Sequence, residues 1–445
     1  MAISRPLASP LSTDLYELNM VQAYLDLGET GDATFEFFVR KLPERRGFLM
    51  AAGLETALTY LETLRFDNDD IAWLKSTGRF RPNLIDYLAG FRFSGDVHAM
   101  PEGTVFFPNE PILRVTAPLP QAQLVESLII NIMHFQTLIA SKAVRMVLAA
   151  NGKALADFGL RSAHGAEAGL LSARASYIAG FGGAANVEAA RHFGIPAVGT
   201  MAHSFVQIHD NEATAFEHYA RARPDGVTLL IDTFDTEAGA RKVVELTPKL
   251  KRDGIAIRAV RIDSGDLVAM ARKVRGILDA GGLKDTTIVV SGGVDEDFIA
   301  TALGAGAPID AFGVGASLDA SSDVPVLECA YKLQEYRGKP RRKLSEGKVT
   351  WPGRKQVWRD TAADGTMRGD VLTIDGDAQP GVPLIAPVMK AGARVGGAPS
   401  LADIRARAAE QLKRLPDRLQ RLEPNAPYPV AISAALEDLA RTTGR

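Results

Sequence analysis

Residues 227–266 read VTLLIDTFDTEAGARKVVELTPKLKRDGIAIRAVRIDSGD, two short apolar runs separated by a stretch with the apolar spacing of a helix. Each apolar run is rich in leucine, isoleucine and valine and ends in polar residues, which is typical of a strand buried on both faces. The pattern predicts a strand, a helix and a second strand. Strands joined in this way lie parallel and place their carboxyl ends at the same edge of a sheet.

The same alternation of strands and helices extends from about residue 153 to about residue 333. The predicted strands contain the segments KALADFG, ASYIAGF, IPAVGT, VTLLIDT, IAIRAVRID, TIVVSGG and IDAFGVG. Seven such units predict an α/β fold, and they fit an irregular barrel related to the TIM fold better than an open sheet. In both arrangements, ligands bind at the carboxyl ends of the strands.

The chain divides into three predicted segments along its 445 residues. Residues 1–125 mix helices with short strands and are predicted to form an α+β domain. Residues 126–333 are predicted to form the barrel and to carry the catalytic site. Residues 334–445 begin with a basic stretch rich in proline and glycine, and we expect them to pack back on the N-terminal domain. One long amphipathic helix is predicted across residues 121–150.

Composition and charge argue against several classes of protein. The 51 basic and 53 acidic residues give a net charge of −2, so no basic field indicates nucleic-acid binding. The single cysteine, Cys329, cannot form a disulfide within the chain and lies in an apolar run, which fits a core position in a reducing compartment. The N-terminus lacks the apolar region of a signal peptide, and no apolar run approaches the ~18 residues of a membrane span. We therefore expect a cytoplasmic enzyme without membrane or nucleic-acid partners.

Polar side chains, glycines and one aromatic follow the predicted strands of the barrel. The main positions are Phe158, Arg161, Thr200, His203, Asp232, Asp235, Arg261, Asp263, Asp266, Ser291, Gly293, Gly313 and Gly315. Any one of them has an ordinary structural explanation, such as a satisfied histidine or a helix cap. Residues of this kind follow each of the seven predicted strands and would meet at one end of the barrel. Structure alone does not easily explain that pattern, and it indicates an active site.

Two carboxylate motifs stand among these positions. In LLIDTFD, Asp232 and Asp235 could hold Mg²⁺ or a pair of ribose hydroxyls, although Asp235 could instead cap the next helix. In RIDSGD, the Ser-Gly turn leads into a helix whose free N–H groups can receive phosphate, and a plain N-cap is the alternative. Arg261 in the same motif needs an anionic partner, which a carboxylate provides in a bidentate pair.

A histidine and two glycine turns complete the pattern. His203 lies in GTMAHSF beside Ser204, where its ring could act as a base or a nucleophile in phosphate chemistry. The glycine turns in SGGVDED and FGVGASL follow the last two predicted strands, where TIM-like barrels commonly bind a phosphate. Together these motifs predict an enzyme that acts on a phosphorylated sugar with Mg²⁺, without naming its acceptor.

Several longer motifs resemble, in order and spacing, those of the nicotinate phosphoribosyltransferases, which are type II phosphoribosyltransferases. The motifs are TDLYELNM, DFGLRSAHG, GTMAHSF, LLIDTFD, RIDSGD, FGVGASL and KLSEGKVTWPGRKQVWR. The resemblance runs from about residue 13 to about residue 359 and implies an ATP-coupled reaction of the ligase class. Nicotinate, phosphoribosyl pyrophosphate, ATP and water would give nicotinate mononucleotide, pyrophosphate, ADP and phosphate, in the synthesis of NAD.

The resemblance also implies roles for individual residues. His203 would be phosphorylated by ATP and would act in catalysis together with Asp232 and Asp263, and Mg²⁺ would be bound by Asp232 and Asp235. The positions implied to bind substrate are Asp14, Tyr16, Phe158, Arg161, Ser204, Arg261, Gly293, Gly313 and Gly315.

Within that set, the resemblance implies a pyridine slot and a shared site. Phe158 would form one wall of the slot, and Tyr16 of a neighbouring subunit, together with Asp14, would come from the other side. Arg261 would lie near the pyridine ring and its carboxylate, and the three glycines would hold the 5′-phosphate. A site of this kind implies a homodimer.

The choice of acceptor depends on the turn GFGGAANV after the second predicted strand. The related nicotinamide enzymes place an aspartate in this turn, and its absence here favours a carboxylate substrate over an amide. Transfer to nicotinamide is one alternative, and transfer to quinolinate is another, although quinolinate needs a cluster of basic residues that we do not find. A phosphate-binding barrel without transfer chemistry, either an aldolase-like enzyme or a sensor, is the third alternative. A Schiff-base aldolase would need a lysine at a strand end, and none of the seven predicted strands ends in one.

Overall fold

A computed structural model describes residues 9–345, 349–423 and 426–443, so positions 346–348 of the motif KLSEGKVTWPGRKQVWR lie outside the described residues. The helices of the described part are α1 (Leu15–Leu27), α2 (Leu54–Thr63), α3 (Asn68–Ser76), α4 (Pro82–Ala89), α5 (Leu119–Leu124), α6 (Glu126–Ala150), α7 (Ala166–Ala179), α8 (Val187–Phe193), α9 (His203–Gln207), α10 (Glu212–Ala222), α11 (Thr236–Arg252), α12 (Leu267–Ala280), α13 (Glu296–Gly304), α14 (Ala316–Asp319), α15 (Leu401–Lys413) and α16 (Ala434–Thr442). The strands are β1 (Asp32–Val39), β2 (Leu49–Met50), β3 (Asp96–Ala99), β4 (Val105–Phe106), β5 (Pro111–Pro118), β6 (Ala154–Asp157), β7 (Gly183–Ala184), β8 (Val227–Leu230), β9 (Ile257–Ile262), β10 (Thr287–Val290), β11 (Ala311–Val314), β12 (Cys329–Tyr336), β13 (Lys339–Pro340), β14 (Lys355–Thr361), β15 (Met367–Ile374), β16 (Val382–Pro383), β17 (Ala386–Lys390), β18 (Ala393–Arg394) and β19 (Val430–Ile432).

The chain folds into two compact units. One unit is Lys142–Pro325, and the other is assembled from Met1–Ser141 and Val326–Arg445. The first of these contains the parallel sheet, whose six strands follow the order β7-β6-β11-β10-β9-β8. The sheet curls into a half-barrel, so the predicted α/β class is confirmed.

Helices follow the strands of this sheet in the predicted manner. The side chains of Asp235, Asp266 and Asp295 accept hydrogen bonds from backbone N–H groups in the first turns of α11, α12 and α13. Such caps satisfy N–H groups that have no partner within the helix, and they fix where each helix begins. Because the strands are parallel, their carboxyl ends all lie at one edge of the sheet.

Two of the seven predicted strands are wrong. The segment ASYIAGF belongs largely to α7, because the alanine-rich residues before it favour a helix and a short apolar run does not distinguish the two structures. The segment IPAVGT makes only an isolated bridge, from Ala197 to Ala184. Pro196 in this segment lacks the N–H group that a sheet ladder needs.

The other unit is built mainly from antiparallel strands. Its largest sheet has the order β13-β12-β1-β5-β3-β17-β18, and a four-stranded sheet has the order β16-β14-β15-β19. In β1, every residue except the first is buried, and the strand pairs antiparallel with both β5 and β12. Residues from both ends of the chain therefore build one sheet.

The long helix predicted at residues 121–150 is two helices. The chain breaks at Val125, which separates α5 from α6. Helix α6 is the one described helix that is long and apolar enough to cross a membrane, but 67% of its most apolar window is buried inside the protein. That burial is typical of a core helix.

A buried ion pair lies in the antiparallel unit. The Lys355 Nζ atom, at the start of β14, is 2.7 Å from Glu36 Oε2 on β1, and both side chains are at most 3% exposed. The same ammonium group donates to Gln334 Oε1 and to the carbonyl oxygens of Trp351 and Gly353. Each charge therefore depends on a partner that water cannot replace.

Candidate active site

Arg261 is the centre of a hydrogen-bond network at the carboxyl edge of the parallel sheet. It lies near the end of β9, and its guanidinium group donates to Asp263 Oδ1 at 2.7 Å and to Ser291 Oγ at 2.7 Å. It also donates to Thr200 Oγ1 at 3.1 Å and to the Met201 carbonyl oxygen at 3.4 Å. The anionic partner expected for Arg261 is thus Asp263, and the network joins the loops after β9 and β10 to the segment before α9.

The network keeps Asp263 ionised. Burial alone would raise the pKa of this carboxyl group, but hydrogen bonds from Ser291 and Arg261 outweigh burial and leave the pKa below its ordinary value. A carboxylate that is half-buried and charged at neutral pH can stabilise positive charge on a bound substrate.

Asp232 lies at the next strand end and holds the same loop. Its Oδ2 atom accepts from the Asp263 N–H at 2.8 Å and from the Ser264 hydroxyl at 2.6 Å. Its Oδ1 atom is buried and has no hydrogen-bond partner in the described residues. A buried carboxylate oxygen without a donor is unfavourable, so this atom is suited to a ligand or a cation.

No group of three or more His, Cys, Asp or Glu side chains that could hold a metal occurs in the described residues. Mg²⁺ commonly uses only one or two carboxylates and completes its shell with substrate phosphate oxygens and water. The unpartnered Oδ1 atom of Asp232 therefore fits Mg²⁺. Asp235 is exposed, and its Oδ1 atom caps α11 at 2.6 Å from the Ala238 N–H, so the capping role considered for it is present.

His203 is the first residue of α9 and faces two other loops of the same edge. A hydrogen bond of 3.1 Å joins its Nδ1 atom to Thr233 Oγ1, and its Nε2 atom lies 3.9 Å from Asp263 Oδ2. The ring is part-buried, with one nitrogen oriented by a hydroxyl and the other near a carboxylate. A neighbouring hydroxyl and a neighbouring carboxylate are the partners that orient a reactive histidine.

Phe158 follows β6 and lies under the arginine of this network. The Arg261 Cζ atom is 5.3 Å from the centre of the Phe158 ring, and the Phe158 N–H donates to the Val314 carbonyl oxygen at 2.7 Å. A Cβ atom at Gly313 would lie 2.5 Å from the same ring, well inside contact distance. The absence of a side chain at Gly313 therefore sets the position of the aromatic wall.

The glycine turn after β10 packs against Asp263. Gly292 has φ +84°, and a Cβ atom there would lie 2.0 Å from the Asp263 carbonyl oxygen. Gly293 has φ +69° and open space around its Cβ position, and the nearest atom to that position at Gly315 is 3.8 Å away. The turn therefore needs a glycine at Gly292 and leaves room beside Gly293 and Gly315.

Arg161 and Ser204 do not join this network. Both side chains are exposed, and Arg161 has no ion pair or hydrogen bond with any residue in the ranges 9–345, 349–423 and 426–443. Their proposed contacts to substrate stay predictions.

Asp14 and Tyr16 lie at the start of α1, in the antiparallel unit. The Ser127 hydroxyl donates to Asp14 Oδ2 at 3.0 Å, and Tyr16 is 45% exposed. Glu17 follows Tyr16 in α1, and its buried carboxyl group accepts from Gln123 Nε2 at 2.7 Å. Burial raises the pKa of Glu17 to about 7. Tyr16 is thus an exposed aromatic side chain beside a group of carboxyl residues.

Comparison with known proteins identifies the family. The model of the nicotinate phosphoribosyltransferase family matches residues 153–340, and models of the N-terminal and C-terminal domains of nicotinate phosphoribosyltransferase match residues 11–134 and 379–440. A nicotinate phosphoribosyltransferase of Mycobacterium tuberculosis, pncB2, is 48% identical over 425 residues, which are 95% of this chain and 91% of that protein. The chain belongs to the nicotinate phosphoribosyltransferase family.

Solved structures agree with membership of the nicotinate phosphoribosyltransferase family. The crystal structure of human nicotinic acid phosphoribosyltransferase has a TM-score of 0.87 and 29% identity, and the match covers 97% of this chain and 99% of that one. A nicotinate-nucleotide pyrophosphorylase from Pyrococcus furiosus has a TM-score of 0.76 and 25% identity, covering 93% and 97%. The matched family regions contain every candidate position, from Asp14 to Gly315.

Sequence reasoning missed some residues of this candidate site. Thr233 lies between the two carboxylates of LLIDTFD. The sequence gives it no role, because only the fold shows that it contacts His203. Only Gly293 is given a role from the sequence, although Gly292 is the glycine that packs against the Asp263 carbonyl oxygen. Adjacent glycines in a turn give no signal in the sequence that distinguishes the packed one from the open one.

Proposed function

We propose that this chain transfers the phosphoribosyl group of phosphoribosyl pyrophosphate to nicotinate, giving nicotinate mononucleotide and pyrophosphate for the synthesis of NAD. The observation that carries the proposal is the network in which Arg261 joins Asp263 and Ser291 above the Phe158 ring, in a chain of this family. The names of the Mycobacterium tuberculosis and human relatives support the same activity. A cytoplasmic location is part of the proposal, and the single cysteine fits it.

Breaking the bond between C1 of the ribose and pyrophosphate leaves positive charge on the sugar. Asp263 is ionised and held by two donors, so it can stabilise that charge without rearranging during the reaction. Asp232, at the end of the neighbouring strand, accepts from the Asp263 N–H and is proposed to act beside it. Gly293, Gly313 and Gly315 are proposed to bind the 5′-phosphate, since backbone N–H groups in such turns commonly receive phosphate. Gly293 and Gly315 leave open space for it, whereas Gly313 packs against the Phe158 ring.

Asp232 would hold Mg²⁺ through its unpartnered Oδ1 atom, and Asp235 is the second proposed ligand. When bound, Mg²⁺ supplies positive charge that stabilises the departing pyrophosphate. Arg161 is proposed to contact the same leaving group, and Ser204 to contact substrate beside His203.

Nicotinate is a flat and weak nucleophile, so its ring nitrogen must be aimed at C1. Phe158 provides one aromatic wall, and Tyr16 of a neighbouring subunit is proposed as the other. Arg261 is proposed to pair with the nicotinate carboxylate. The proposal therefore includes a homodimer with shared sites that also use Asp14, and the mass of the chain in solution tests it.

The direct test is product formation from phosphoribosyl pyrophosphate with either nicotinate or nicotinamide, each with and without Mg-ATP. We expect nicotinate mononucleotide to form preferentially and to form faster with ATP. Product formation with nicotinamide and not with nicotinate would overturn the choice of acceptor. No product from either pyridine would overturn the proposed reaction.

ATP is proposed to drive the transfer through phosphohistidine 203. The γ-phosphoryl group would move from ATP to a ring nitrogen of His203, releasing ADP, and water would later cleave the nitrogen–phosphorus bond to give phosphate. The hydrogen bond to Thr233 and the proximity of Asp263 support this role, since both can orient the ring.

We expect His203→Ala to abolish the stimulation of product formation by ATP and the associated release of ADP. The reason is that no other ring nitrogen lies in the described Arg261 network. Mass spectrometry of the intact protein with Mg-ATP should show an added phosphoryl group only when His203 is present. His192→Ala changes an exposed histidine on α8 and should behave like the unmodified chain. Persistence of ATP stimulation in His203→Ala would contradict the assignment.

Gly313→Ala is expected to lower kcat/KM for nicotinate about 10- to 100-fold, because a shift of the slot wall by about 1 Å misplaces the ring. The added Cβ atom would lie 2.5 Å from the Phe158 ring and must displace it. Steady-state kinetics with varied nicotinate measures the effect. Gly276→Ala on α12, where nothing lies within 4 Å of the Cβ position, is the matched control. Unchanged kinetics in Gly313→Ala would show that Phe158 does not touch the substrate.

A further inference from the structure

Two buried carboxyl groups lie behind the proposed nicotinate slot. Asp157 is the last residue of β6 and is 3% exposed, and Asp319 is the last residue of α14 and is 1% exposed. The Gly159 N–H donates to Asp157 Oδ1 at 2.8 Å, and the Ser172 hydroxyl donates to Asp319 Oδ1 at 2.7 Å. Neither carboxyl group has a cationic partner within residues 9–345, 349–423 and 426–443. Two buried carboxylates without a cationic partner are unfavourable, and protonation is the other way to neutralise them.

The contacts of Asp319 leave one oxygen unexplained. Its Oδ2 atom is buried and has no donor in the described part of the chain. The carboxyl group packs tightly, since a Cβ atom at Gly159 would lie 2.3 Å from Asp319 Oδ1. A proton between the two carboxyl groups would give the Oδ2 atom the partner that it lacks.

Electrostatics agree with a shared proton. Burial first, and then the charge of Asp157, raise the pKa of Asp319 to about 8, and burial also raises the pKa of Asp157. Both carboxyl groups lie against the same residue, since the Gly159 N–H donates to Asp157 and a Cβ atom on Gly159 would meet Asp319. Two carboxyl groups gathered around one buried residue do not both ionise at neutral pH, because like charges repel strongly in a buried site. One negative charge and one proton are the stable combination.

We propose that Asp157 and Asp319 share one proton, and that this protonated pair is a positioning device that fastens the Phe158 loop to the phosphate turn after β11. The proposal rests on the proposed function for the roles of Phe158 and Gly315. Asp157 directly precedes Phe158, and Asp319 ends the short helix that begins after Gly315. Asp157 and Asp319 therefore set the spacing between the pyridine slot and the phosphate site.

Loss of the proton should loosen both parts of the site. The groups that face the pair from α7 are the hydroxyls of Ser172 and Ser176, and the Gly159 N–H faces it from the loop, so the charge on each carboxyl group is influenced mainly by the other. Since the pKa of Asp319 is raised in the folded protein, the stability provided by its proton is lost as pH rises through about 8. Above that pH the two carboxylates repel each other.

Asp319→Asn tests the pair because asparagine makes the same contacts without a titratable proton. Its amide N–H₂ group can donate to Asp157 and its oxygen can accept from Ser172. In the unmodified chain we expect KM for nicotinate to rise about tenfold per pH unit above the pKa, with a smaller change in kcat. In Asp319→Asn we expect this alkaline rise to disappear. Asp285→Asn, at an exposed position without a described partner, should keep the rise.

A second measurement does not depend on activity. The infrared difference spectrum of the unmodified chain minus Asp319→Asn, at neutral pH, should contain the carbonyl band of a buried protonated carboxyl group. Subtraction removes the bands of other buried acids such as Glu17 and Glu110, whose pKa values burial also raises. Asp285→Asn, subtracted in the same way, should give no such band. Hydrogen exchange at pH 9 should be faster in residues 158–165 and 313–319 of the unmodified chain than in Asp319→Asn. If Asp319→Asn fails to fold, Asp157→Asn makes the equivalent contacts and replaces it.

Each result supports the shared proton or overturns it. Equal carbonyl bands in the unmodified chain and Asp319→Asn, or an alkaline rise in KM that persists in Asp319→Asn, overturn the proposal. An unmodified chain that forms no nicotinate mononucleotide overturns the proposed function instead. In that case the band tests the shared proton, and the exchange rates test whether it fastens the loop to the turn.

Discussion

Asp232→Asn is expected to lower kcat/KM by about 10³-fold, the size of effect seen when one electrostatic group is removed from a transition state. Asparagine keeps one oxygen for the Asp263 N–H and the Ser264 hydroxyl, so the loop after β9 should keep its shape. The second position, where the aspartate has its buried and unpartnered Oδ1 atom, would carry an N–H₂ group that cannot bind a cation.

The measurement is steady-state kinetics of nicotinate mononucleotide formation, with Mg²⁺ varied at fixed substrates. Asp225→Asn is the matched control, because this exposed residue precedes β8, whereas Asp232 follows it. We expect the control to have the same Mg²⁺ dependence as the unmodified chain. Asp232→Asn should need a higher Mg²⁺ concentration to reach half of its own maximal rate. Wild-type rates in Asp232→Asn would rule out a metal at this position.

Lys355→Met is expected to destabilise the antiparallel unit by about 3–5 kcal/mol, the cost of leaving one member of a buried ion pair without its partner. Glu36 would then keep its charge on a strand whose neighbours are buried, and Gln334 Oε1 would lose its donor. Methionine fills a similar volume, so an empty space in the core contributes little to this change.

Unfolding by urea, followed by tryptophan fluorescence, measures the change. All three tryptophans, Trp73, Trp351 and Trp358, lie in the antiparallel unit, so their signal reports on that unit. Lys339→Met replaces an exposed lysine on β13 and should leave the midpoint unchanged. The double variant Glu36→Gln with Lys355→Met should recover much of the loss, because no unpaired charge then remains buried. A single variant as stable as the unmodified chain would show that the pair contributes nothing.

Local patterns in the sequence were sufficient for the α/β class and for the edge of the sheet that bears the site. Arg261 and Asp263 were recognised together, because a strand end followed by a turn places residues two apart within reach of each other. The prediction for the segment ASYIAGF is wrong, since a short apolar run that ends in glycine fits a strand as well as the end of a helix.

Partners that are distant along the chain could not be predicted. Ser172 and Asp319 are 147 positions apart, and neither stands in a pattern that indicates the other. Glu36 and Lys355 also meet although they are 319 positions apart. Such contacts follow from how elements pack, and periodicity within an element does not contain that information.

The pairing of β1 with both β5 and β12 has a consequence for biosynthesis. A ribosome completes β12 only after it has made the whole of Lys142–Pro325, so one edge of β1 must wait through that interval. The unit Lys142–Pro325 is continuous in the chain and can fold as it leaves the ribosome. The antiparallel unit cannot pair β1 with β12 until later. A nascent chain that stalls near residue 325 would display an unpaired, largely apolar strand edge, the kind of surface that aggregates or engages chaperones.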